Sequence, residues 1–359
     1  MMTTITKEKT SAGRQVYIDI LRVIATVFVI AVHTASLGAS VAQAGSTQWY
    51  AFEIAGYLFL SCNLLFIMIS GALLLPVKGE RAGVFYRKRF LKVLVPMIVY
   101  YILYVCAKEG FRWLLPANWP ALLQRILTGA PEEAPHFWLI YVILWLYVLT
   151  PVIRYLIQHI PDSVYNGLIL VILAAQILYT YCDPLYFNPV YSGIIGSFAG
   201  VFIAGYYLTK DHPKWLELLI FGAGAVSVIL AICHTFSGNA YDRYIYNHAP
   251  LMMFYTMALF LAVKKLFISK QTESHFITLI SRYSFGILLI HWGILHVLVK
   301  QILHVNVLAG YGILGSLAMV LLTLFFSLIG AAVIDFLLIS PILRGISILF
   351  DKLSGKTKK

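Results

Sequence analysis

Asp19, Arg22 and His33 lie inside the apolar run YIDILRVIATVFVIAVHTAS, residues 17–36. An arginine there supplies a permanent cation shaped to grip anions, and a histidine supplies a ring that exchanges protons near neutral pH. Arg22 and His33 are eleven residues apart, a rise of about 16 Å that returns to within about 20° of one helix face. Asp19 lies one turn below Arg22 on nearly the same side. A charged side chain in hydrocarbon costs at least about 2.5–3.5 kcal/mol, so such groups usually line a cavity. The Arg22–His33 stripe therefore reads as the wall of a polar path from one membrane edge toward the middle. For Asp19, a plain interfacial ion pair with Arg22 suffices.

These side chains need elements to hold them. The chain has 359 residues, of which 60% are hydrophobic and 12% charged, against about 45–50% and about 25% in soluble domains. That composition predicts an all-α, polytopic membrane bundle with about ten transmembrane helices. The segments long enough to span are 16–40, 50–76, 91–109, 136–158, 163–181, 191–209, 214–236, 249–268, 276–300 and 307–340. The last exceeds what a bilayer needs and is expected to tilt, bend near Gly330 or protrude. Val23–Ala35 followed by Ala42–Ala44 imitates a signal peptide. Asp19 and Arg22 at the foot of the run, and the distance to the supposed cleavage site, favour an uncleaved span.

Charge sets the orientation. With the N-terminus inside, most of the 27 Lys and Arg fall on the cytoplasmic side, and only Lys108, Arg112, Arg125, Arg243 and Lys300 fall outside. This bias predicts an even number of spans with both termini cytoplasmic. The net charge of +12 is then a topology signal, and a nucleic-acid partner is not supported. The whole chain, 1–359, reads as one integral-membrane domain, with 1–15 a cytoplasmic N-terminus and 341–359 a basic cytoplasmic tail. Cys62, Cys106, Cys182 and Cys233 form no C-x-x-C and read as small buried hydrophobes. Only Cys182 and Cys233 are placed to meet. The longest outer loop holds RWLLPANWPALLQRIL, which reads as a short amphipathic helix on the membrane surface. GIIGSFAGVFIAG, Gly193–Gly205, is a small-residue face suited to close helix packing.

The pattern D-x-x-R, ten residues, then H resembles the acyltransferase family 3 membrane proteins, which transfer acyl groups to cell-surface sugars and lipids. The likeness continues through LLFIMISGALLLP (Leu64–Pro76), FYRKRFLKVLVP (Phe85–Pro96) and HFWLIYVILWLYVLTPVIR (His136–Arg154). It extends to LISRYSFGILLIH (Leu279–His291). Phe137 stands where that family commonly has Leu. The enterobacterial common antigen O-acetyltransferases are the subgroup it most resembles. The resemblance implies an acyl-coenzyme A donor on the cytoplasmic side, acetyl-coenzyme A for an O-acetyltransferase, and an acceptor glycan or lipid-linked glycan reached from the far side of a bacterial inner membrane.

Within that expectation each residue has a role and a plainer alternative. His33 is the candidate general base for the attacking hydroxyl, and Arg22 would hold the donor's inner phosphate or pantetheine end. Arg87, Lys88, Arg89 and Lys92 sit on a cytoplasmic loop that would dock phosphates; anchoring to anionic lipid explains them equally well. Among these four, the arginines are the favoured pair. His136, Trp138 and Tyr141 would meet the acceptor sugar or else form an interfacial aromatic belt. Ser284 and His291 share a face of the ninth span. His291 would be a second cavity ligand, or merely a helix–helix hydrogen bond. Ser70 and Gly71 need only close packing. No H-E-x-x-H, P-loop, dinucleotide fingerprint or G-x-S-x-G elbow is present, so no metal site or tightly bound cofactor is expected, and acetyl-coenzyme A enters as substrate. The rival class is an exporter of a polysaccharide or lipid-linked intermediate, since intramembrane charges also mark transport paths.

Overall fold

The structure is a computed structural model that describes residues 15–77, 79–130, 132–181, 198–237, 249–270, 274–303 and 306–353. Among these residues there are helices and no strands. In chain order they are α1 (Val16–Val41), α2 (Thr47–Leu74), α3 (Ala82–Glu109), α4 (Trp119–Thr128), α5 (Trp138–His159) and α6 (Asp162–Tyr181). Then come α7 (Phe198–Tyr207), α8 (Lys214–Phe236), α9 (Pro250–Phe267), α10 (His275–Val297), α11 (Asn306–Ile334) and α12 (Ser340–Leu353).

Eight helical stretches among the described residues are long and apolar enough to cross a membrane, and two shorter apolar helices, Ser163–Leu178 and Phe198–Tyr207, accompany them. The protein is a multi-pass membrane protein. The first part of the expected span 191–209, Cys182 and Arg243 lie outside the described residues.

Apolar composition makes these segments helical because a helix satisfies its own backbone in lipid. Several hydroxyls are satisfied within their own helix: Thr26 donates to Arg22 O at 2.7 Å, Ser70 to Phe66 O at 2.9 Å and Thr150 to Leu146 O at 2.7 Å. Ser46 caps α2 by accepting from the Trp49 N–H at 3.1 Å. Helix α1 occupies the middle of the bundle, packed against α2, α9, α10 and α11. That placement puts its polar stripe inside the protein. Helices α2 and α7 cross at backbone contact. A Cβ on Gly71 would lie 1.8 Å from Phe202 O, and one on Gly205 would lie 2.0 Å from Met68 O. The small-residue reading holds for Gly205.

Two buried cations close helix ends. Arg154 donates to Leu74 O from Nε (3.1 Å) and Nη2 (2.8 Å), and Nη1 reaches Glu80 at 3.5 Å. Lys264 Nζ donates to the carbonyls of Leu208, Thr209 and Lys210 at 3.1, 3.0 and 2.7 Å. The last carbonyl of α2 and the three carbonyls just past α7 are thus satisfied by charge.

Two expectations change. The basic stretch Arg87–Lys92 is no loop: α3 begins at Ala82, because Arg and Lys are good helix formers and nothing breaks the chain between Gly83 and the apolar run. The irregularities in the last long helix are not at Gly330: α11 is kinked at Gly312, whose φ is +52°. A π-helical turn at Asp335–Ile339 links α11 to α12, and the stretch Tyr311–Lys352 runs for 42 residues. The short amphipathic helix expected in RWLLPANWPALLQRIL is present as α4, entered through two 3₁₀ turns, Phe111–Leu114 and Pro116–Asn118.

Candidate functional site

Three histidines from three helical segments converge. His33 comes from α1, His291 from α10, and His136 from the 3₁₀ turn Pro135–Phe137 that leads into α5. The His33 and His291 ring centroids are 5.4 Å apart, and those of His136 and His291 are 4.8 Å apart. Trp292 packs edge-on against His33 at 4.8 Å. His291 is fully buried and His136 nearly so.

Their backbone contacts fix which nitrogen is bare. His291 Nδ1 lies 2.8 Å from Leu288 O, and a carbonyl only accepts, so Nδ1 carries the proton and Nε2 presents a lone pair. His136 Nε2 lies 3.2 Å from Leu289 O, so its Nδ1 presents the other lone pair. Neither bare nitrogen finds a partner among the described residues. Two buried acceptors beside His33 want a donor: an N–H or the hydroxyl of a bound molecule. Among the described residues no three His, Cys, Asp or Glu side chains are arranged to hold a metal ion.

A tyrosine from α3 braces this corner. Tyr104 Oη accepts the Gly293 N–H at 3.0 Å and donates to Leu289 O at 3.0 Å. The hydroxyl thus stands at the step of the α10 ladder between Gly293 and Leu289, and Leu289 O serves both Tyr104 and His136.

Two cavities flank these residues. The histidine cavity, about 290 Å³, is lined by His33, His136, Trp138, Ser36, Asn63 and Leu60 among others. The cationic cavity, about 950 Å³, is lined by Arg22, Arg89, Lys92 and Arg282, with Ser284 and Tyr147 in its wall. Its one carboxylate, Asp19, is occupied: it pairs with Arg22 at 3.0 Å and accepts the Ser281 hydroxyl. The wall is strongly electropositive and suited to a multiply charged anion.

The expected site residues sort accordingly. Arg22, Asp19, Arg89, Lys92 and Ser284 border the cationic cavity, while His33, His136 and Trp138 border the histidine cavity. His291 stands between His33 and His136. Arg87 and Lys88 do not join them. Arg87 lies over the Phe350 ring of α12 at 5.8 Å, and Lys88 pairs with Glu80 at 3.5 Å. Arg87 falls on the side of the continuous helix away from Arg89, Lys92 and Val93, and Lys88, at the edge of that face, is held by Glu80. Tyr141 is also elsewhere. Its hydroxyl contacts Ile126 O at 2.6 Å and Gly129 O at 2.8 Å, so it latches the end of α4 and takes no part in either cavity wall. The path from Arg22 to His33 is two cavities that share one lining residue, Leu288.

Arg282, Trp292 and Tyr104 escaped the sequence reading. For Arg282 a signal existed, since Thr278, Ser281, Arg282, Phe285 and Leu288 recur at helical spacing in one wall. Tyr104 had none, because only the fold brings it to Gly293.

No curated protein and no solved structure matches the chain. The family profile described as an acyltransferase domain matches residues 15–336, a range that takes in both cavities and all three histidines. The chain belongs to this family of membrane acyltransferases.

Proposed function

We propose that this protein is an O-acetyltransferase of the bacterial inner membrane. It moves acetyl from acetyl-coenzyme A to a hydroxyl of a cell-surface polysaccharide or its lipid-linked precursor, in the manner of the enterobacterial common antigen subgroup. Ten spans with both termini cytoplasmic complete the reading, which puts the cationic cavity on the side where acyl-coenzyme A is made. The observation that carries it is the division of α1: Arg22 borders a large cationic cavity, and His33 borders a smaller one beside the buried, bare nitrogens of His136 and His291.

In this mechanism Arg22, Arg89, Lys92 and Arg282 hold the donor's phosphates by charge-assisted hydrogen bonds. The pantetheine arm extends along α1 toward His33, a distance of about 16 Å along the helix. The acceptor hydroxyl enters beside Trp138, whose ring stacks on the apolar face of a sugar. His33 removes the hydroxyl proton as that oxygen bonds to the thioester carbonyl carbon. The carbon–sulfur bond then breaks, and the departing thiolate takes the proton from His33. His291 and His136 orient the hydroxyl and the His33 ring through their fixed lone pairs.

The test is purified protein with radiolabelled acetyl-coenzyme A and an acceptor glycan, wild type beside His33→Ala. Transfer should fall about 10²–10⁴-fold in the variant. Equal transfer by both proteins would remove His33 from the chemistry.

A further inference from the structure

On α1 the two linings stand seven residues apart, Arg22 to Val29, about 10 Å of rise, but on the other helices that wall both cavities the division is thinner. On α2, Asn63 lines the histidine cavity and Phe66 the cationic one; on α5 the same change occurs between Leu139 and Ile143. Those steps correspond to about 4.5 Å and about 6 Å of helix rise. On α10 there is no gap, because Leu288 lines both cavities. Leu288 is 2% exposed. Its carbonyl holds His291 Nδ1 at 2.8 Å, so this residue anchors one of the three histidines with its backbone and meets both spaces with its side chain.

We propose that the Leu288 side chain is a gate that the acyl head must displace on its way from the cationic cavity to His33, and that it selects narrow acyl groups. This rests on the acyl-transfer reading above. An acetyl head is no wider than the pantetheine chain that follows it, so rotation of one leucine admits it. An acyl group branched next to its carbonyl carries two more methyl-sized groups at its widest point, and the close-packed neighbours give little. The backbone bond to His291 does not depend on the side chain, so substitutions at Leu288 alter the aperture and leave that anchor in place.

The experiment has two arms on the full-length protein. In the first, thioester cleavage and acceptor acylation are followed with acetyl- and isobutyryl-coenzyme A. Leu288→Ala should raise the isobutyryl-to-acetyl rate ratio ~10-fold, the effect of a methyl-sized change in an apolar pocket. The volume-conserving Leu288→Met should hold the wild-type ratio within about twofold. In the second, Asn63→Cys places a thiol in the wall of the histidine cavity, and a charged methanethiosulfonate is applied from the Arg22 side of sealed vesicles. Labelling of residue 63, located by mass spectrometry, should be ~10-fold faster when Leu288→Ala is added, a gain of the size that removing a packed side chain gives. Unchanged labelling together with an unchanged ratio would overturn the gate. Absence of thioester cleavage by wild type with either donor would instead sink the transfer reading and the selectivity with it, while the labelling arm still decides whether Leu288 closes the passage.

Discussion

A base that works deep in a membrane protein needs one nitrogen kept bare and its ring kept still. For His33, the base we propose, Trp292 packed on the ring serves the second condition, while the bare nitrogens of its neighbours His291 and His136 are fixed by Leu288 O and Leu289 O. The cationic wall makes its own forecast. Arg89→Ala, with its guanidinium bordering the cavity, should raise the donor KM about tenfold with little change in kcat, the signature of lost uniform binding. Arg87→Ala should leave KM within about twofold, as expected for a side chain outside the wall; Arg87 lies over Phe350. Steady-state kinetics over a donor series checks both. The sequence already separated Arg22 and His33 from the rest, because charge in an apolar run and spacing along one helix are local properties. It did not separate Arg89 from Arg87. That distinction depends on helical phase, which is invisible once the stretch is read as a loop.

Helix α2 carries much of the assembly, since it packs on α1, α7, α8 and α9. Its contact with α7 leaves no room for a methyl group at Gly71 or Gly205. Gly71→Ala and Gly205→Ala should each destabilise the fold by about 1–3 kcal/mol, seen as a lower Tm in detergent, with the larger loss if the backbones are forced apart. Tyr104→Phe tests a different joint. It removes the hydroxyl at the Gly293 step and one of the two donors on Leu289 O, and should cost about 1–3 kcal/mol. It should also lower kcat more than it changes donor KM, because His136 is held by the same carbonyl. Most helices were legible from apolar runs of spanning length. The start of α3 and the π-helical turn at Asp335–Ile339 were not. The first is set by basic residues that form helix as readily as they form loops, and the second by packing between distant segments. Tyr141 shows the same limit: its partners, Ile126 and Gly129, belong to a neighbouring element.

At the scale of the whole molecule, a surplus of Lys and Arg suggested which side each loop faces, yet not all of that surplus is surface. Arg154 and Lys264 are buried against carbonyl oxygens, so they hold helix ends together and attract neither lipid nor nucleotide. The leucine between the cavities bears on something other than chemistry. A cell draws work from the voltage across an energised membrane, and a pore lined by arginine and filled with water would discharge it by conducting anions. One aliphatic side chain at the waist, where water is driven off, lets a chemical group cross while the bilayer stays electrically tight. Proteoliposomes carrying Leu288→Ala should therefore lose an imposed potential several-fold faster than those with wild type, as a voltage-sensitive dye would report, reflecting the easier passage of charge through a hydrated constriction than a dry one.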